Sequence, residues 1–386
     1  MKSGNAVLSG YGTSIFEVMS QLARANAAVN LGQGFPDGNG PPDVVEVAAD
    51  YLRNGLNQYP SMLGIPELRQ AVARHNKRFY GLDVDWATEV LVTSGGTEAL
   101  ASALLGLIEP GDEVILVEPL YDSYLPIVRR AGGVPKLVRL EPPRWELPRE
   151  ALAAAFSDRT KLILFNTPMN PCSKVFSRDE LQFIAGLLLR HDAFAVVDEV
   201  YEHLVYDGQK HVPLLTLPGM RDRVVRIGSA GKTFSLTGWK VGYLTAAPSV
   251  LVPIVKAHQF ITFTTPPNLQ KAVAYGLEKE DAYFDGLCAG MEARRDRLAS
   301  GLAEVGFEVL HCAGTYFITT DFRPLGFNGD DVEFCKWLTT EAKVACVPVS
   351  AFYEGGGISH FARFAFCKDE ATIDEAIARL KRHFRR

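Results

Sequence analysis

A chain of 386 residues with 47% hydrophobic side chains is long enough for about two domains and a sizeable buried core. Its formal charge of -5 argues against a general attraction to nucleic acid or anionic membrane, because those partners select basic surfaces. Six cysteines, Cys172, Cys288, Cys312, Cys335, Cys346 and Cys367, stand apart with no C-x-x-C pair, which argues against a zinc site or disulfide framework and for the reduced thiols of a cytoplasmic protein.

From the N-terminus, "MKSGNAVLSGYG" lacks the apolar core of a signal peptide. Pro66 to Tyr80, followed by Gly81, reads as a helix with a glycine stop. The run "ALASALLGLI" is about half the length of a membrane-spanning helix. The runs "EVLVTSG", "EVILVEP", "PKLVRLE", "KLILFNTP", "AFAVVDEVY", "RVVRIGS" and "VGYLTA" are mostly continuous apolar, as strands covered on both faces should be. Between them, Ser177 begins "SRDELQFIAGLLL" with Glu180 at the offset of a capping box. The expectation is an α/β fold: a mostly parallel seven-stranded sheet between helix layers. After about residue 285 a long charged helix, "GMEARRDRLASGLAEVG", precedes the candidate strands "GTYFITTDF" and "FARFAFCKDE", which implies a second, smaller α+β domain. The tail "KRHFRR" closes the amphipathic stretch "EATIDEAIARL" and reads as a solvated helix end.

Open α/β sheets bind ligands at the carboxyl ends of their strands. "VLVTSGGTEAL" passes through Gly95 and Gly96 into a helix beginning near Thr97, which is either an anion seat or a plain turn with a threonine cap. "NTPMNPCSKVFS" places Asn166 and Asn170 on a rigid, proline-rich turn. Asp198 and Glu199 end a strongly apolar strand, where a carboxylate needs a cationic partner. In "SAGKTFSLTGWKVG", Lys232 and Lys240 flank a turn that is not a nucleotide loop, because Arg226 stands where the Walker pattern requires glycine. Ser229-x-x-Lys232 likewise lacks the "KTG" companion of the serine acyl-enzymes. An anion seat, a buried carboxylate, a fixed amide and a lysine together suit pyridoxal 5'-phosphate, whose lysine attachment, protonated ring nitrogen, ring oxygen and phosphate need those groups.

The chain also resembles the class I aminotransferases of fold type I, and among them the kynurenine, glutamine and methionine aminotransferase group. The resemblance runs through "VNLGQGFPDGNGPPDV", "LNQYPSMLGIPELRQAVA", "NTPMNP", "VVDEVY", "GSAGKTFSLTGWKVG", "VPVSAFY" and "RFAFCKDEAT". It implies that Lys232 carries the cofactor covalently and shuttles the substrate proton. Ser229, Lys240 and the backbone of Gly96 and Thr97 hold the phosphate, Lys240 standing where many relatives have arginine. Asp198 pairs with the ring nitrogen, Asn170 and Tyr201 donate to the ring oxygen, and Tyr121 stacks on the ring. Arg363 takes the substrate carboxylate, with Gly34 as a backbone donor and Asn170 beside it. Tyr59 crosses to the neighbouring subunit's phosphate, so a homodimer with shared active sites is implied.

The same resemblance divides the chain into an N-terminal arm of residues 1–13, a large domain of 40–285, and a small domain of 14–39 plus 286–386. It implies ping-pong transfer from an amino acid to a 2-oxo acid. Phe16 stands where kynurenine-specific members have tryptophan, and Thr264 follows Phe263 where they have histidine. The smaller aromatic lid favours methionine, glutamine, leucine or phenylalanine over kynurenine, and a wall of Phe16, Tyr121 and Phe263 disfavours aspartate. A β-lyase or cyclopropane-forming synthase could use the same cofactor groups. A non-catalytic sensor would need a basic DNA-binding module of its own.

Overall fold

The computed structural model describes residues 2–384; Arg385 and Arg386, the end of the basic tail, lie outside the described residues, as does Met1 of the N-terminal arm. The seven apolar runs form one sheet in the order Val90–Thr93, Gly242–Thr245, Val224–Ser229, Phe194–Asp198, Thr160–Asn166, Glu113–Glu118 and Val134–Arg139. Gly242–Thr245 is antiparallel to both neighbours, and the other pairs are parallel. The exception follows from the connection, since the chain between Ser229 and Gly242 forms only two short turns, Ala230–Thr233 and Thr237–Trp239, and no crossover helix.

Alternate residues of the inner strands enter two apolar layers. Leu162, Leu164, Val196 and Ile227 face one, and Ile163, Phe165, Ala195 and Val197 the other. Burial on both faces is why these strands read as continuous apolar runs. The edge strand Val134–Arg139 differs: it exposes Val134 and Leu137, and Pro135 blunts further pairing there. The helix Arg178–Arg190 starts with the capping box of Ser177 and Glu180, and Pro66–Tyr80 stops at Gly81 in the left-handed region, φ 68°. Among the described residues, no helix is long and apolar enough to cross a membrane.

The C-terminal part has its own antiparallel sheet, ordered Val347–Pro348, Phe361–Ala365, Phe317–Asp321, Glu308–Val309. The 25-residue helix Asp281–Val305 packs beside Glu370–Phe384 next to it. Two-residue strands, too short to show a sequence pattern, join Val29–Asn30 to Val344–Ala345 in parallel. That pairing attaches an early segment to the late part of the chain.

Behind the sheet lies a buried ionic network. Arg226, 1% exposed, donates through Nε to Glu199 (2.7 Å), through Nη1 to Asn76 (3.1 Å) and through Nη2 to Glu202. Tyr80 donates to the same Glu202 oxygen at 2.5 Å. His75, Glu202 and His203 bring ligand atoms within 4.8 Å of one another, a spacing a metal could use. The guanidinium, however, already supplies positive charge to the Glu202 oxygen that His75 faces. Burial alone would raise the Glu202 carboxyl, but Arg226 and the histidines outweigh it and hold the group well below the usual carboxylate range.

Removing Arg226 would strand two buried carboxylates. Arg226→Met is expected to lower unfolding free energy by about 3–5 kcal/mol at pH 7, measured by urea unfolding. Because the folded-state Glu202 pKa is depressed, this contribution is complete above the ordinary carboxylate pKa of about 4.3 and is lost as pH falls through the folded value. The gap between wild type and variant should therefore narrow only in acid below that point.

Candidate active site

A cavity of about 210 Å3 opens at the carboxyl ends of the parallel strands, and Gly96, Thr97, Tyr121, Asn170, Asp198, Tyr201, Ser229, Lys232 and Lys240 all line it. One end is the start of the helix Gly95–Leu107, two residues earlier than the sequence suggested. Its N-cap, Ser94, makes no side-chain cap, so the first amides are left for a ligand. Gly95 has φ 77°, and Gly242 crosses so closely that a Cβ there would lie 2.6 Å from the Gly95 carbonyl carbon. The approach requires glycine at 242, and the left-handed φ favours it at 95. The exposed Lys240, itself left-handed at φ 50°, passes beside Gly95, and the Ser229 hydroxyl accepts from the Gly231 amide at 3.2 Å. Together they form an anion seat.

At the far end, Asp198 terminates its strand with 6% exposure. Burial raises its carboxyl pKa, and the Tyr124 hydroxyl (2.7 Å), the Val200 amide (3.3 Å) and the charge of Lys232 oppose that rise. The Asn166 side chain donates to the Asp198 carbonyl and accepts from the Asn170 amide, both at 2.7 Å, which ties the proline-rich turn to the strand end. Tyr121 also sits on this wall, its hydroxyl pushed up to about 12 by burial. Tyr124 was not singled out in the sequence, although it lies in the same "EPLYDSY" as Tyr121.

Between these ends, Lys232 donates from Nζ to the Tyr316 hydroxyl at 2.9 Å, with the Tyr201 ring 5.7 Å and the Tyr316 ring 5.5 Å from the amine. Burial pushes the amine below the ordinary lysine range, and Cys367 and Asp198 offset this only in part. Sequence reading assigned "GTYFITTDF" to a strand and saw no function in Tyr316.

Arg363 enters from the C-terminal sheet. A lone arginine on a short strand is ordinarily a surface residue, yet this one is 1% exposed. Its Nη1 donates to Asn170 Oδ1 at 2.7 Å and its Nη2 to the Gly32 carbonyl at 2.6 Å, while Nε has no partner among the described residues. The Phe317 ring lies 3.9 Å from the guanidinium carbon, and the Phe16 and Phe352 rings each lie 5.2 Å away. Burial pushes this guanidinium down to about 10, and its bonds go to an amide and a carbonyl rather than to a carboxylate. A small anion would complete it. Gly34 lies beside it, where a Cβ would stand 2.6 Å from Phe317.

Two expected residues are elsewhere. Tyr59 is 83% exposed and packs edge-on against Phe263, ring centres 5.6 Å apart. Phe263, left-handed at φ 67°, closes the end of the helix Pro248–Ile261 through its amide to His258 and turns outward. The wall of Phe16, Tyr121 and Phe263 is therefore not formed within one chain: Phe16 and Tyr121 share a cleft, and Phe263 belongs with Tyr59 on the surface.

The groups in the cavity fit pyridoxal phosphate. The uncapped helix start suits the phosphate, the buried Asp198 a protonated ring nitrogen, and the Lys232 amine with its lowered pKa an aldehyde.

A family model described as aminotransferase class I and II matches residues 26–380. The structure of N-succinyldiaminopimelate aminotransferase from Mycobacterium tuberculosis is 44% identical, covers 98% of this chain and 99% of its own, and superposes with a TM-score of 0.95. An Escherichia coli structure with a methionine aminotransferase function is 39% identical, covering 99% and 100%, with a TM-score of 0.96. Human kynurenine–oxoglutarate transaminase 1 is 37% identical over 94% of each chain.

The lowered pKa of Lys232 has a direct chemical readout. Brief reductive methylation of the cofactor-free protein near pH 8 is expected to label Lys232 ahead of the exposed Lys240, as resolved by peptide mass mapping. Earlier labelling of Lys240 would contradict the burial argument.

Proposed function

The chain belongs to the class I and II aminotransferases, enzymes that transfer amino groups with pyridoxal phosphate, and we propose that it moves the amino group of a neutral L-amino acid to a 2-oxo acid by a ping-pong cycle. One observation carries the reading. A buried guanidinium with an unpartnered Nε, Arg363, is bonded to Asn170, which lines the cavity that holds Lys232 and Asp198. An arginine so placed suits the α-carboxylate common to amino acids and oxo acids, so one cavity serves donor and acceptor in turn.

Bound pyridoxal phosphate supplies an electron sink for the charge left at the substrate α-carbon when its proton departs. In this reading Arg363 binds the carboxylate with help from the Gly34 amide. Asp198 holds a proton at the ring nitrogen, with its own position held by Tyr124. Asn170, whose Oδ1 is engaged by Arg363, keeps its amide N–H groups for the ring oxygen, together with the Tyr201 hydroxyl. Gly96, Thr97, Ser229 and Lys240 hold the phosphate, and the Tyr121 ring packs on the cofactor face. Lys232 holds the cofactor and, once free, moves the proton at the α-carbon. The proposed large unit, residues 40–285, then carries the cofactor groups. The small one, 14–39 plus 286–386, carries Gly34 and Arg363, and the pairing of Val29–Asn30 with Val344–Ala345 supports joining its two pieces.

Neutral donors are favoured because Phe16, Phe317 and Phe352 surround the guanidinium with apolar rings. The E. coli relative's methionine function agrees with this. A second reading rests on Arg294, whose one hydrogen bond among the described residues is to Met291 Sδ at 3.8 Å in a cleft it shares with Lys368 and Asp37. That cation could meet a remote carboxylate of a longer donor such as N-succinyldiaminopimelate. A homodimer is supported by Leu56, Tyr59, Phe260 and Phe263, which are large apolar side chains left exposed, Tyr59 touching Phe263. Across a two-fold axis Tyr59 and Phe263 would reach the other chain's site together.

Asp198→Asn is expected to leave the fold intact and lower turnover by roughly 10²–10³-fold or more, the scale of removing a preorganised charge-stabilising group. Near-normal turnover would refute the role of Asp198. In initial-rate assays, parallel double-reciprocal plots should appear with 2-oxoglutarate or pyruvate as acceptor, and kcat/KM for methionine should exceed that for kynurenine and aspartate. A tenfold preference for kynurenine or aspartate would overturn the neutral-donor reading, and a preference for N-succinyldiaminopimelate that disappears in Arg294→Ala would establish the second.

A further inference from the structure

Tyr316 is fully buried, and its hydroxyl bridges two parts of the site. It accepts from the Lys232 amine at 2.9 Å and donates to the Gly34 carbonyl at 2.5 Å. A phenol has one proton to give, so the bond to Gly34 leaves its lone pairs for Lys232. Phe317, with ring centres 4.8 Å apart, and Tyr201, 5.1 Å away, clamp the Tyr316 ring edge-on.

The Gly34 end of the bridge belongs to a short strap. The Gly32 carbonyl accepts from Arg363, the Gln33 side chain donates to the Phe16 carbonyl at 3.0 Å, and the Phe35 carbonyl accepts from Lys368 at 2.8 Å. Lys232 is thus connected to the carboxylate-binding arginine by Tyr316 and two residues of backbone. A neutral amine that donates one N–H to a fixed oxygen keeps its lone pair off that direction and confines it to the two remaining staggered positions. We propose that Tyr316 is a positioning residue that aims the Lys232 lone pair at the substrate α-carbon, in register with the carboxylate held by Arg363. The proposal rests on the reading of Lys232 as the group that carries the cofactor and moves the proton.

Tyr316→Phe keeps the ring and removes the bridge. The expected result is a fall in kcat of about ten- to a hundredfold with KM within threefold of wild type, because a proton-transfer group out of line by a fraction of an ångström is slow but does not weaken substrate binding. The primary isotope effect with α-deuterated donor should rise, and the pH titration of the holoenzyme's visible absorbance should shift, neither of which a loss of packing alone would cause. Borohydride reduction of the same variant separates the two ideas. Label on a lysine other than Lys232 overturns the reading of Lys232. Label on Lys232 with an unchanged isotope effect and titration overturns the role of Tyr316. If the phenylalanine variant does not fold, 3,5-difluorotyrosine at position 316 provides the same comparison with the ring in place: a changed isotope effect supports the bridge, and an unchanged one excludes it.

Discussion

Burial of charge without a matching countercharge is the constraint on which this site depends. Asp198, Lys232 and Arg363 are each withdrawn from water, and for each the dominant influence on its pKa is loss of solvent. Leaving an ion in that condition costs several kcal/mol, which a protein sustains only where the surrounding fold holds it in place. Here the strand ends do so: Asp198 and Ser229 finish parallel strands, Lys232 follows in the next turn, and Arg363 lies within a strand of the other sheet. A cofactor that brings a cationic ring nitrogen and an aldehyde, followed by a substrate that brings a carboxylate, would between them supply the three missing partners. Binding energy that would otherwise come from new contacts comes from relieving groups already in place.

The contrast between the two largest fully buried side chains, Arg226 and Arg363, makes this concrete. Arg226 meets two carboxylates and an amide, and all of its hydrogen-bonding nitrogens are used. Arg363 meets an amide, a carbonyl and three aromatic faces, with Nε left over. One is a closed structural network; the other keeps an unpartnered nitrogen and no carboxylate among its described partners. Their sequence contexts, "RVVRIGS" and "FARFAF", do not reveal the difference, since each is an arginine in an apolar run.

What was legible in the sequence was local. The inner strands of the large sheet could be read because burial on both faces leaves continuous apolar runs. The Ser177–Glu180 box and the Gly81 stop follow from near-neighbour chemistry. Lys232, Asp198 and the glycine turn stood out because each immediately follows or ends such a run. The supporting residues Tyr124 and Tyr316 did not stand out, because their partners are distant along the chain: Tyr124 and Asp198 are 74 positions apart, Lys232 and Tyr316 84. The direction Phe263 takes within its own chain is hidden from the sequence for a related reason. Its apolar character was visible, but the left-handed turn that points it outward depends on how the helix before it ends.

The strap after Val29 has a consequence for the order in which the molecule can be made. Leu31 makes backbone hydrogen bonds with Ala345 and Ala365, and the Gly32 and Phe35 carbonyls accept from the side chains of Arg363 and Lys368, contacts more than 300 residues apart in sequence. A ribosome releases the first partners of these pairs long before the second. The sheet that ends in Asp198 and Lys232 has all its strands by Thr245, so it can assemble while synthesis continues. Arg363 and the Gly32 carbonyl it anchors cannot meet until the C-terminal sheet has emerged. The side of the cavity that holds Lys232 and Asp198 can therefore form on the nascent chain before the strap and Arg363 come together.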